Sequence, residues 1–116
     1  MSVSYSLTMD IRVVLVRDLD ASLEENYRKK LNNNIKKALT TRIIEKVGEI
    51  ETHFGPTRLS NGYSIDINID GVHFVRELDA SLEESYRKKL NDNIKKALTT
   101  RTIEKVTSIE ILFNKK

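Results

Sequence analysis

Two stretches of this chain are almost the same stretch. Residues 16–47 align with 75–106 at an offset of 59, and 28 of those 32 positions are identical. The exceptions are Asp18/Glu77, Asn26/Ser85, Asn33/Asp92 and Ile43/Thr102. The run NIKKALTTR recurs letter for letter at 34–42 and 93–101. Upstream the copies still match in pattern, at an offset of 58: Tyr5-Ser6-Leu7 with Tyr63-Ser64-Ile65, Met9 with Ile67, Ile11 with Ile69. One extra residue has therefore entered copy two, near Gly71. A chain of 116 residues buries one core rather than two. Two copies are also too few for a solenoid. The repeat points to a single domain, 1–116, made of two homologous halves, 1–58 and 59–116.

Each half reads strand, helix, strand. Val3, Tyr5, Leu7, Met9, Ile11, Val13 and Leu15 alternate with Ser4, Ser6, Thr8, Asp10 and Arg12, the period of a half-buried strand. Copy two repeats this with Tyr63, Ile65, Ile67 and Ile69 against Ser64, Asp66, Asn68 and Asp70. The inserted residue would flip the phase, so a bulge is expected at Asp70-Gly71, returning Val72 and Phe74 to the core face. Ser22-Leu23-Glu24-Glu25 and Ser81-Leu82-Glu83-Glu84 read as capping boxes with serine at the N-cap. Behind them Leu23, Tyr27, Leu31, Ile35 and Leu39 form an apolar stripe, with lysines on the opposite side. The β-branched Thr40-Thr41 ends the helix. Second strands are expected at about 46–54 and 105–113, the latter with Ile109, Ile111 and Phe113 inward, and the turn-rich stretch 55–62 joins the halves. Right-handed crossovers then predict a ferredoxin-like split βαβ–βαβ sandwich in the α+β class. It would have a four-stranded antiparallel sheet, two helices on one face, and the first strand of each half at its centre.

Hydrophobic residues make up 39% and charged residues 32%, a composition that folds. No apolar run approaches the roughly 20 residues that span a bilayer, and MSVSYSLTMDIRVV lacks a signal-peptide pattern. With zero Cys there is no disulfide framework or thiolate chemistry, which fits a cytoplasmic protein.

The net charge of +3 is unevenly spread. In copy one, residues 22–39 hold Arg28, Lys29, Lys30, Lys36 and Lys37 against Glu24 and Glu25, so 5 − 2 = +3. Copy two repeats the same five cations, including Lys88, Lys89, Lys95 and Lys96. Paired side by side, the two helices would present eight lysines on one surface and attract phosphate backbones. The plain alternative is a solvated surface with Glu25–Lys29 and Glu24–Arg28 pairs. The sheet carries no stacking aromatics where an RNA-recognition sheet would need them.

Its uncovered face is expected to gather Val14, Val16, His73, Val75 and Leu112 into an apolar patch for a second copy or another protein partner. Residues 66–77 also satisfy the spacing of a calcium-binding EF-hand loop, with Asp66, Asn68, Asp70, the Val72 carbonyl and Glu77 as ligands. Strand alternation produces the same spacing. His53 and His73 are expected to face outward and to neighbour each other across a hairpin, too little for catalysis. The reading is a non-enzymatic interaction domain without cofactor or membrane, homodimeric through its sheet. A basic nucleic-acid-binding module is the first alternative. Because even surface positions of the helices coincide, an engineered or symmetrised scaffold is the second.

Overall fold

The computed structural model describes residues 3–57 and 61–116. Its elements are β1 (Val3–Leu15), α1 (Ala21–Ala38), β2 (Ile44–Val47), β3 (Ile50–Pro56), β4 (Gly62–Phe74), α2 (Ala80–Leu98) and β5 (Ile103–Lys115). Two helices pack on a five-stranded antiparallel sheet. Its order is β2–β4–β1–β5, and β3 lies beside β2 along the same flank of β4. β1 and β4, the first strands of the two halves, are central.

The expected four strands are five because the second strand of the first half lapses at Gly48-Glu49. β2 pairs with β4 at 72–74 and β3 pairs with it at 63–69, so the lapse lies opposite Asp70-Gly71. That is where the extra residue of copy two enters: Tyr5 pairs with Val72 but Leu7 pairs with Ile69. The bulge does its phasing work, since Val72 and Phe74 are fully buried. No glycine has positive φ, so the bulge needs no left-handed residue. Gly48 is required for another reason. Its N–H donates to the Gly71 carbonyl at 2.6 Å, and a Cβ on Gly48 would lie 2.9 Å from that same oxygen. Of the expected connection 55–62, Gly55 and Pro56 belong to β3 and Gly62 to β4, while Arg58, Leu59 and Ser60 lie outside the described residues.

Burial alternates along β1 and β4, so one face of the sheet is closed and the other open. The closed face gives Leu7, Ile11, Leu15, Ile65, Ile67 and Ile69, all essentially buried, to a single core with Leu31, Ile35, Leu90 and Ile94 of the helices. At one end Tyr5 meets Phe74 edge-on, ring centroids 5.3 Å apart, and its hydroxyl accepts the Leu78 N–H at 3.0 Å. The 13-residue strands run about 43 Å, whereas the helices, 18 and 19 residues long, run about 28 Å. The sheet therefore outruns its helices, and the molecule measures 47 × 24 × 21 Å.

The helices start two residues earlier than the serines suggest. Asp20 and Asp79, not Ser22 and Ser81, are the N-caps, each accepting the N–H three residues on at 2.9 Å. A carboxylate is the stronger partner for a helix N-terminus, because it adds charge to the hydrogen bond. The serines lie inside the first turn.

Candidate functional site

The helix layer is built by reciprocal contacts between the halves. The Tyr27 hydroxyl meets the Thr100 hydroxyl at 2.5 Å, and the Tyr86 hydroxyl meets that of Thr41 at 2.9 Å. Tyr27 and Tyr86 are the same repeat position, as are Thr41 and Thr100. The start of each helix thus touches the end of the other, and the helices run antiparallel about a pseudo-two-fold axis. This is one reason for the shared Thr-Thr-Arg: the interface is self-complementary, so each half must carry both partners.

A second reciprocal device ties each helix to its sheet edge. Arg28 Nε donates to the Thr52 carbonyl at 3.1 Å, and Arg87 Nε donates to the Ile111 carbonyl at 3.2 Å. Arg28 lies over the Phe54 ring and Arg87 over Phe113, at 5.5 and 5.7 Å. Acids near the helix starts serve these arginines: Glu25 pairs with Arg28, and Glu83 and Glu84 pair with Arg87. The expected Glu25–Lys29 pair is absent among the described residues. Arginine wins because its planar fork holds the carboxylate, a strand carbonyl and an aromatic face at once.

The lysines are consequently left over. Lys29, Lys30, Lys36, Lys37, Lys88, Lys89, Lys95 and Lys96 are all exposed. None of them joins an ion pair among the described residues. Antiparallel packing sets Lys29 and Lys30 beside the end of α2 that carries Lys95 and Lys96. Lys36 and Lys37 lie likewise beside Lys88 and Lys89. One charge in this layer has no counterpart in copy one. Asp92, exposed, stands where copy one has Asn33, so residues 81–98 total 5 − 3 = +2 rather than +3. Its signal is present in the sequence as one of four mismatches within the repeat.

The open sheet face is polar at its centre. Register places His53, Asp66, Asp10 and Glu110 in one row across four strands. Burial pushes the Asp66 carboxyl above its ordinary value. The neighbouring Asp10 charge and a hydrogen bond with Asp10 add to the rise, against weaker opposition from Arg12 and His53. Arg12 also lies 3.8 Å from Asp10. No group of three or more His, Cys, Asp or Glu among the described residues is arranged to hold a metal ion. This row is invisible in the sequence, because Asp10 and Glu110 are far apart in the chain and meet only through the ladder.

The five residues expected to form an apolar patch do not come together. His73 is opposite Ser4 and Val14 is opposite Gly62, ten residues apart along β1, or about 33 Å. Val16 stays near Val14's end, its N–H on the Thr102 carbonyl, and Val75 near His73's, its N–H on the Ile43 carbonyl. Leu112 lies between them, opposite Thr8. Val16, Val75 and Leu112 are 54%, 40% and 57% exposed, but as three separate points. The histidines are not neighbours either: His53 pairs with Asp66, and His73 is seven residues further along β4, about 23 Å away.

The calcium spacing is likewise pulled straight. Asp66 and Asp70 are four residues apart on an extended strand, about 13 Å. Val72 is buried, Asp70 pairs with Lys116 at 2.6 Å, and Glu77 pairs with Lys115. These five positions do not converge on one ion.

No protein-family model matches the sequence, and no curated protein matches it. Among solved structures the chain is similar to one titled "De novo designed protein Foldit4". The match has 14% identity over 97% of this chain and 98% of that one, with a TM-score of 0.46. It is also similar to part of a hydantoinase/carbamoylase family amidase from Burkholderia ambifaria. There the identity is 6% over 99% of this chain and 28% of that one, with a TM-score of 0.46. Both superpositions are too loose to bear on function.

Proposed function

We propose that this chain is a non-enzymatic binding module of ferredoxin-like, split βαβ–βαβ architecture whose helix layer binds the phosphate backbone of nucleic acid. The architecture rests on the strand–helix–strand order of each half and on the two central strands being the first of each half. The function rests on one observation: eight exposed lysines on two adjacent helices, none in an ion pair among the described residues, while the arginines hold Glu25, Glu83 and Glu84. Unpaired cations gathered on one surface bind polyanions by releasing their counterions. Fluorescence anisotropy with labelled nucleic acid at about 50 and 200 mM salt tests this. Binding at low salt should weaken by two or more orders of magnitude at the higher salt, and Lys36→Glu with Lys95→Glu should abolish it without changing the circular dichroism. Absence of binding at 50 mM salt would sink the reading.

A second reading is self-association through the open sheet face, supported by the absence of a covering layer there among the described residues and by exposed Leu112 on the edge strand β5. Light scattering would give about twice 13.4 kDa, reduced to the monomer by Leu112→Asp. A monomeric mass at high concentration counts against it.

A further inference from the structure

We infer that the polyanion this layer fits is a double-stranded nucleic acid, held through the phosphates of both strands without base readout, and that Asp92 limits its affinity. This rests on the helix-layer reading above and names the substrate class of that site.

The first argument is symmetry. The Tyr27–Thr100 and Tyr86–Thr41 contacts relate the helices by a pseudo-two-fold axis. The lysines of one helix lie seven residues apart, about 10 Å, and packed helices stand about 8–10 Å apart. Four lysine pairs therefore mark the corners of a square with sides of roughly 10 Å. A duplex has local two-fold axes between its strands, and its phosphates flank grooves about 6 and 12 Å wide. A two-fold set of cations can meet both backbones equally. A single strand has no such symmetry, and it has half the charge density along its axis.

The second argument is what the layer lacks. Binding of single strands draws on aromatic side chains on which bases stack. Here Tyr5, Tyr27, Phe74 and Tyr86 are buried, Tyr63 of β4 is half-buried against the core, and Phe54 and Phe113 lie beneath arginines. Val16, Val75 and Leu112 are the large hydrophobics exposed among the described residues, and none is aromatic. Base edges are read by arginine or lysine on guanine and by asparagine or glutamine on adenine, and a planar fork fixes that contact best. The Arg28 and Arg87 guanidiniums are committed to carbonyls, glutamates and phenylalanine rings. Among the cations within the two helices lysine remains, a point charge suited to phosphate and without a planar fork. The exposed amides Asn26 and Asn33 lie on α1 alone, with Ser85 and Asp92 in their places on α2, so they offer no two-fold pair to the bases.

Asp92 sits three or four residues from Lys88, Lys89, Lys95 and Lys96, so it neighbours all four on the helix surface. In α1 the same place is Asn33, uncharged. A phosphate approaching α2 meets a carboxylate that α1 does not present.

The full chain is titrated by anisotropy into 20-base-pair DNA duplexes of two unrelated sequences, an RNA duplex of the same length, and a 20-nucleotide single strand. We expect the two DNA sequences to agree within about twofold and the tighter duplex form to exceed the single strand by about tenfold or more. Asp92→Asn should tighten duplex binding severalfold and Asn33→Asp should weaken it by a similar factor. Equal or tighter binding of the single strand, or a strong difference between the DNA sequences, overturns the duplex inference and leaves the polyanion reading intact. Unchanged binding by Asp92→Asn overturns the role given to Asp92. Failure of every probe at low salt overturns the reading beneath both.

Discussion

Gly48 and Gly71 meet backbone to backbone, and the two positions should respond very differently to the same change. A methyl group on Gly48 would lie 2.9 Å from the Gly71 carbonyl oxygen, which is backbone and cannot swing aside. A methyl group on Gly71 would meet its nearest neighbour, His73 Nε2, at an ordinary 3.6 Å, and neither glycine needs a left-handed φ. Gly48→Ala should therefore cost roughly 1–3 kcal/mol in urea denaturation, while Gly71→Ala should stay within about 0.5 kcal/mol of the parent. Equal costs would mean that the bulge, and not the close approach, governs this corner. The sequence marks Gly71 through the shift in repeat offset. It gives no sign that Gly48 is the stricter of the two, because that constraint comes from a carbonyl 23 residues away.

At the level of elements, the halves differ where helix meets edge strand. In copy one, Thr52 of β3 donates its hydroxyl to Asn32 Oδ1 of α1 at 2.9 Å. In copy two, Ile111 of β5 stands at the matching place, and Asn91 Oδ1 of α2 is buried with no hydrogen-bond partner among the described residues. A buried acceptor without a partner loses its hydration and regains nothing. Asn32→Ala should thus destabilise by about 1 kcal/mol more than Asn91→Ala, which should be close to neutral. Thermal melts of the two variants provide the comparison, and equal losses would show that Asn91 is satisfied in solution. The elements themselves were legible. The alternation along β1 and the stripe from Tyr27 to Leu39 follow from periods of 2 and 3.6, which local sequence carries directly. The N-caps were misplaced by two residues, since Asp20 and Ser22 are both good caps and the backbone path into the helix chooses between them.

Over the whole molecule, charge is divided between the two layers. The helix layer is basic, and the centre of the open sheet face carries the row Asp66, Asp10 and Glu110. Directly opposed like charges destabilise a sheet. The Asp66 carboxyl is raised above its ordinary 3.8, so over the interval above 3.8 the folded state binds more protons than the unfolded one. Stability from this group is therefore highest at the acid end of that interval and falls as pH rises through the raised value. Asp66→Asn should raise the melting temperature at pH 7 relative to the parent, and the gain should shrink towards pH 4. A gain that is constant with pH would mean that the side chain acts by shape rather than charge.

By itself the sequence determined that the chain is a duplicated α+β unit with two amphipathic helices, two long alternating strands, a bulge at Asp70-Gly71 and a concentration of lysine on the helices. These are local properties: periodicity, repeat offset and composition survive without knowledge of the partners. Tertiary structure alone decided which side chains meet. Pairing register scattered Val14, His73 and Leu112 and assembled the Asp10–Asp66–Glu110 row. Antiparallel helix packing joined Tyr27 to Thr100 and Tyr86 to Thr41. The competition for Glu25, Glu83 and Glu84 went to the arginines, because strand carbonyls and phenylalanine rings from β3 and β5 helped to hold them. That outcome left the lysines free, and it depends on residues that no helix-local rule can supply.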